Sequence, residues 1–81
     1  PEYTPAIEYR AEAHLALGQF EDVMKAYGQL EMTDPPRRDE LKAALQDWLL
    51  ATQRVEANLG FYDWVQSLDA MPVAPALNVP Q

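Results

Sequence analysis

The sequence predicts an all-α fold of antiparallel helical pairs followed by an extended, proline-containing C-terminal tail. Three observations predict it. Apolar residues recur at three- and four-residue steps over most of the chain, the spacing of one face of a helix. Glycine or proline interrupts that pattern at Gly18, at Pro35-Pro36 and at Gly60, leaving connections too short for anything but antiparallel neighbours. Beyond Ala70 there is no charged residue, and Pro72, Pro75 and Pro80 exclude a stable helix.

The first helix is expected from Pro5 to Leu17, with Thr4 as its cap and proline in the first turn, where a missing N–H costs nothing. Ile7, Ala11, His14 and Leu15 form its apolar stripe, with Glu8 and Glu12 on a wetter flank. Gly18 closes it, because a left-handed residue costs glycine no steric clash. The second helix runs from Phe20 to Met32 on Phe20, Val23, Met24, Tyr27 and Leu30. Gly28 inside it serves either a close helix–helix approach or nothing beyond a tolerated surface position.

Asp34 or Pro36 opens the third helix, expected from Arg37 to Asn58 on Leu41, Leu45, Trp48, Leu49, Thr52, Val55 and Leu59. Gly60 is expected to end it. A short fourth helix from Tyr62 to Leu68 carries Trp64, Val65 and Leu68. Residues 1–70 thus form one helical domain. Residues 71–81 form a tail expected to lie ordered along a helical surface of this chain or of a neighbour.

With 81 residues there is room for one domain, and 48% apolar composition is enough to fold it. No cysteine and a single histidine, His14, leave neither a disulfide nor a structural metal to reinforce a thin core. Stability must come from helix packing, or from further helices preceding Pro1, since the chain opens without an initiator methionine. Thirteen acids against six lysines and arginines give a net charge of −7, which repels phosphate backbones and excludes nucleic acid as a partner. No apolar run approaches the ~20 residues needed to span a bilayer, and no signal segment opens the chain. A soluble protein is expected, with the cytoplasm favoured and the compartment otherwise open.

Catalysis has little to run on. His14 can act as acid, base or ligand, yet no cysteine or second histidine accompanies it, and a structural histidine between two helices is the favoured reading. Glu8 and Glu12 stand one turn apart and could pair as carboxylates, but without a cleft or a base they read as a solvated face. Ser67 lacks a nucleophile elbow, and no glycine-rich phosphate loop exists. No catalytic residue, metal or cofactor is expected. Arg37, Arg38 and Lys42 form the one basic cluster, at the start of the third helix, where the dipole does not favour cations; they are a solvated helix start or a contact for an acidic partner. Phe61, Tyr62 and Trp64, with Trp48, are core aromatics at helical spacing, or partly exposed binding anchors.

An internal repeat adds to this. Leu17-Gly18-Gln19-Phe20-Glu21-Asp22-Val23 and Leu59-Gly60-Phe61-Tyr62-Asp63-Trp64-Val65 share Leu-Gly, an aromatic, an acid and valine at matching places, 42 residues apart. Glycine turns the chain, Phe20 and Tyr62 wedge into the corner, and the acid meets the positive N-terminus of the next helix. From Ala13 through Val23, Ala26-Tyr27, Leu30 and Asp34-Pro35, the chain resembles the tetratricopeptide repeat family, over about one repeat. Arg10 and His14 stand where that family generally carries a leucine and a large aromatic, and Val23 where it has alanine. The second pair resembles an atypical, capping repeat.

The resemblance implies a right-handed helical repeat and a module that binds another protein or peptide within a larger complex, as scaffold, adaptor or assembly subunit. The alternative is a structural C-terminal cap or small subunit with no ligand of its own. The resemblance places Glu8, Glu12 and Leu15 of the first pair, and Leu50, Arg54 and Asn58 of the second, along the partner groove, with Trp64 as a further anchor. The lysine and asparagine pattern by which some relatives hold a C-terminal carboxylate is absent, so an acidic C-terminus is a poor ligand for that face.

Overall fold

The computed structural model describes residues 3–70; the expected tail, 71–81, lies outside the described residues. Four α-helices and one 3-10 turn are present: α1 (Thr4–Ala16), α2 (Phe20–Thr33), α3 (Pro35–Ala51), the 3-10 turn (Glu56–Asn58) and α4 (Leu59–Ala70). There is no strand among the described residues.

The turn between α1 and α2 follows from one glycine. Gly18 has φ +75°, the only positive φ among the described residues. Its N–H donates to the Leu15 carbonyl at 3.1 Å and the Gln19 N–H to the His14 carbonyl at 2.8 Å, the two bonds of a Schellman closure. Such a closure usually carries an apolar contact between these flanking positions; here His14 Nδ1 and Gln19 Oε1 lie 2.6 Å apart instead. Glu21 and Asp22 then occupy the first turn of α2, where the helix dipole favours acids.

One residue, Asp34, separates α2 from α3. Its Oδ1 accepts from the Arg37 N–H at 3.3 Å, capping α3, while Pro35 and Pro36 fill the first turn, where no donor is needed. The helix therefore begins at Pro35 and not at Arg37. Thr4 is the first residue of α1 and caps nothing in it; its hydroxyl donates to Asp34 Oδ2 at 2.5 Å.

Two expectations fail in the second half. The third helix does not reach Asn58: α3 stops at Ala51, and Thr52 turns to extended geometry. Asn58 makes the break, since its side chain accepts from the Val55 N–H at 2.9 Å and donates to the Gln53 carbonyl at 3.0 Å, giving the backbone partners that a helix would otherwise supply. Gly60 closes no helix either. It sits in the first turn of α4, so the second Leu-Gly opens a helix where the first closes one, and the two similar heptapeptides have different backbones.

All four helices bury one stripe: Ile7 and Ala11 from α1, Val23, Tyr27 and Leu30 from α2, Leu41 and Leu45 from α3, and Phe61, Val65 and Leu68 from α4. Each buried Val, Leu, Ile or Phe among them contributes about 1.5–3 kcal/mol of transfer free energy. The α3 helix packs on α1, α2 and α4. The α4 helix reaches α2 through its rings, with Phe61 stacked on Phe20 at 4.4 Å and Trp64 edge-on to Tyr27 at 5.3 Å.

Candidate functional site

The residues expected to line a partner groove do not come together. Glu8 is buried at the joint between α1 and α3, its side chain 6% exposed, with Oε1 3.0 Å from Arg37 Nη1. Glu12 is half-buried beside it; burial and the hydrogen bond to Glu8 push its carboxyl above the ordinary glutamate value. These two are no solvated face. Glu8 faces α3 through its ion pair with Arg37, and the Glu8 carboxylate raises the Arg37 guanidinium further.

The basic cluster is likewise turned inward on the chain. Arg37 lies 3.8 Å from Glu40 as well as against Glu8, and Arg38 pairs with Asp39 at 2.8 Å and Glu31 at 3.5 Å. Leu15 is half-buried against the core. Leu50, by contrast, is 86% exposed. Arg54 makes two hydrogen bonds to Asp63, at 2.8 and 3.0 Å, and holds that carboxyl below its usual range. Asn58 is buried in the corner it builds. Because α3 ends at Ala51, Leu50, Arg54 and Asn58 share no helical face.

The aromatic residues are mostly occupied with one another. Phe61 is buried; Trp48, Tyr62 and Trp64 are half-buried. Trp48 meets Phe61 at 5.1 Å, Phe20 at 5.8 Å and Tyr62 at 6.0 Å, and Trp64 lies 5.6 Å from Phe61. Phe20 and Tyr62 both flank helix starts, but the ring that Phe20 stacks on is Phe61.

A different concavity is present, one that spacing alone did not single out. It lies between α1 and α2, holds about 140 Å³, and is lined by Ile7, Arg10, Ala11 and His14 from one helix and Asp22, Lys25, Ala26 and Gln29 from the other. Each wall repeats the steps i, i+3, i+4, i+7, so one stripe of each helix faces the groove. The sequence signal was available: counting outward from Gly18 pairs these positions across the hairpin. Ile7 and Ala11, 2% and 0% exposed, close the base of the groove as part of the core, and the polar side chains of Arg10, His14, Asp22, Lys25 and Gln29 form its rim. At the turn end His14 Nδ1 stands 3.8 Å from Asp22 Oδ2.

Among the described residues no group of three His, Cys, Asp or Glu could hold a metal ion, and no helix is long and apolar enough to cross a membrane. No family model matches this chain, and neither does any curated protein or solved structure.

Proposed function

We propose that this chain is a protein-interaction module, a scaffold, adaptor or assembly subunit, that holds a segment of a partner protein in the groove between α1 and α2. The observation that carries the reading is that groove, a polar-rimmed crevice lined by two facing helical stripes. It is a binding protein and not an enzyme. Its two hairpins are tetratricopeptide-like, a right-handed helical repeat; the packing of α3 on both α1 and α2, and of α4 on α2, supports that architecture.

Peptides selected from a random display library against the full chain test this, with their sites mapped by amide chemical shifts. Peptides that move Ile7, Arg10, Ala11, Lys25 and Gln29 support the reading. Selected peptides that map elsewhere overturn it.

One feature favours a second reading, a structural cap or small subunit of a larger complex. Leu17 and Leu50 are 70% and 86% exposed, and α1 and α3 run in the same direction, so both lie at one end of the bundle. An assembly that covers that end would shelter both. Association weakened by Leu50→Lys but unaffected by Gln29→Ala would favour the cap.

A further inference from the structure

The first turn of α3 fastens α1 at two points. The Thr4 hydroxyl donates to Asp34 Oδ2 at 2.5 Å, and Arg37 Nη1 donates to Glu8 Oε1 at 3.0 Å. Both fastenings meet in that one turn, since Asp34 Oδ1 also accepts from the Arg37 N–H. The second is built from sheltered charge, the Glu8 side chain being 6% exposed and that of Arg37 27%. Glu12, one turn further along α1, is hydrogen-bonded to Glu8. Two carboxyl groups can make such a bond only when one of them carries a proton, because an ionised carboxylate is an acceptor alone.

The charges around this pair come mainly from α3. Arg37 faces Glu8, and Glu40 lies 3.8 Å from the same guanidinium nitrogen and adds its negative field at Glu12. Tyr9 of α1 acts on Arg37. From α2, Asp22 and Lys25 lie in the groove with Arg10 and His14, whose lining includes neither Glu8 nor Glu12. One guanidinium thus stands against three carboxyl groups, an imbalance that favours a neutral Glu12.

We infer that the joint between α1 and α3 is a proton-set clasp, closed while ionised Glu8 pairs with Arg37 and Glu12 donates its proton to Glu8, and loosened when that proton leaves. Once Glu12 is ionised, two like charges one turn apart repel and compete for Arg37. The turn at Gly18 keeps α1 paired with α2, so the seam along α3 is what opens. Acid opens the same seam through the other fastening, when Asp34 gains a proton. Burial and Glu8 hold Glu12 above the ordinary 4.5, and Thr4 chiefly holds Asp34 below the ordinary 3.8. The clasp is therefore tightest between those ordinary values. It gives as the pH falls through the folded value of Asp34, and as it rises through that of Glu12. None of this depends on what the groove between α1 and α2 holds.

Amide exchange of the full chain from about pH 3 to about pH 8, corrected for its intrinsic pH dependence, tests the clasp. Exchange at the Glu8 and Ala11 amides should accelerate about twofold as Glu12 ionises, the size expected for a like-charged pair one turn apart, while Val65 in α4 does not follow. Glu12→Gln keeps a donor for Glu8 and cannot ionise, so it should erase the step. Glu40→Gln should leave the step in place. Carbon-13 shifts of the Glu8 and Glu12 carboxyl groups should respond to one another's titration, as coupled sites do.

A step that survives Glu12→Gln overturns the clasp, and so does a step of equal size at Val65, which would mean global unfolding. Carboxyl groups that titrate independently overturn it as well. Should circular dichroism show that Glu12→Gln fails to fold, the carboxyl titrations of the unaltered chain and its comparison of α1 with α4 decide the matter.

Discussion

Phe20 and Phe61 lie face to face, their ring centroids 4.4 Å apart and their planes 12° from parallel. One ring opens α2 and the other the first turns of α4, so the stack sets the two helices side by side at the same level. Trp48 of α3 closes the cluster edge-on to both.

Phe61→Ala should cost about 3–5 kcal/mol, because the ring is 5% exposed and its removal leaves a cavity among three helices. Phe20→Ala should cost less, since Phe20 is only half-buried. The double-mutant cycle should return a coupling of about 0.5–1.5 kcal/mol. Urea unfolding followed by the fluorescence of Trp48 and Trp64 measures it. A coupling of zero would mean that the rings merely lie near each other.

The glycines should respond in opposite directions. At Gly28 an added Cβ meets no heavy atom within 4 Å, so close helix approach is not its purpose, and Gly28→Ala should stabilise the chain by up to about 1 kcal/mol. Gly18→Val also meets open space, yet φ +75° makes it costly, by about 1–2 kcal/mol. Thermal unfolding of the two variants should shift Tm upward for the first and downward for the second.

Acid should loosen the fold through two aspartates. Asp34, held low chiefly by the Thr4 hydroxyl, and Asp63, held low chiefly by Arg54, both have folded values below the ordinary 3.8. The stability they contribute is present above that value and is lost as the pH falls through the depressed ones. Thr4→Val should flatten this acid limb for Asp34, as Arg54→Gln should for Asp63. A Tm profile with an unchanged acid limb in both variants would contradict the assignment.

Glu12 acts in the reverse sense. Its folded value is raised above the ordinary 4.5, first by burial and then by Glu8, so the stability it contributes is present at lower pH and lost as the pH rises through the folded value. Glu12→Gln should therefore raise the Tm at pH 7, by the equivalent of about 0.5 kcal/mol for a like-charged pair one turn apart, and change little at pH 4. A Tm that falls at pH 7 would show the carboxylate to be needed in its charged form.

Asn58→Ala should leave the Val55 N–H and the Gln53 carbonyl without their side-chain partner, at a cost of about 1–3 kcal/mol. Hydrogen exchange at the Val55 amide should accelerate more than exchange in α1. Uniform acceleration would mean that the corner does not open by itself.

The first hairpin was legible in the sequence because its determinants are local: Gly18 needs no distant partner to close a helix, and Asp34 needs only Arg37 to open one. The break after Ala51 was not. Val55 and Leu59 continue the apolar spacing of α3, and a spacing rule cannot weigh the side-chain bonds of Asn58, which compete with helical ones. The equation of Gly60 with Gly18 failed for a related reason, since like residues carry different backbones once the turn is made elsewhere. Glu8 read as solvated because its partner, Arg37, stands 29 residues away. The groove depends on which stripes face one another across the hairpin, and that becomes visible only after the turn is placed.

The single-residue link at Asp34 has a consequence for the order in which the chain assembles. The short connections at Gly18 and Asp34 close small loops, and contacts of that kind form early and fast. The bond from Thr4 to Asp34 joins residues 30 apart, and it can form only after α2 has turned back and the first turn of α3 exists to orient the carboxylate. The first turn of α1 is thus the late piece of the assembly. By the same logic it is the piece expected to open first, ahead of the aromatic cluster at the other end of α2, an order that native-state hydrogen exchange reads directly.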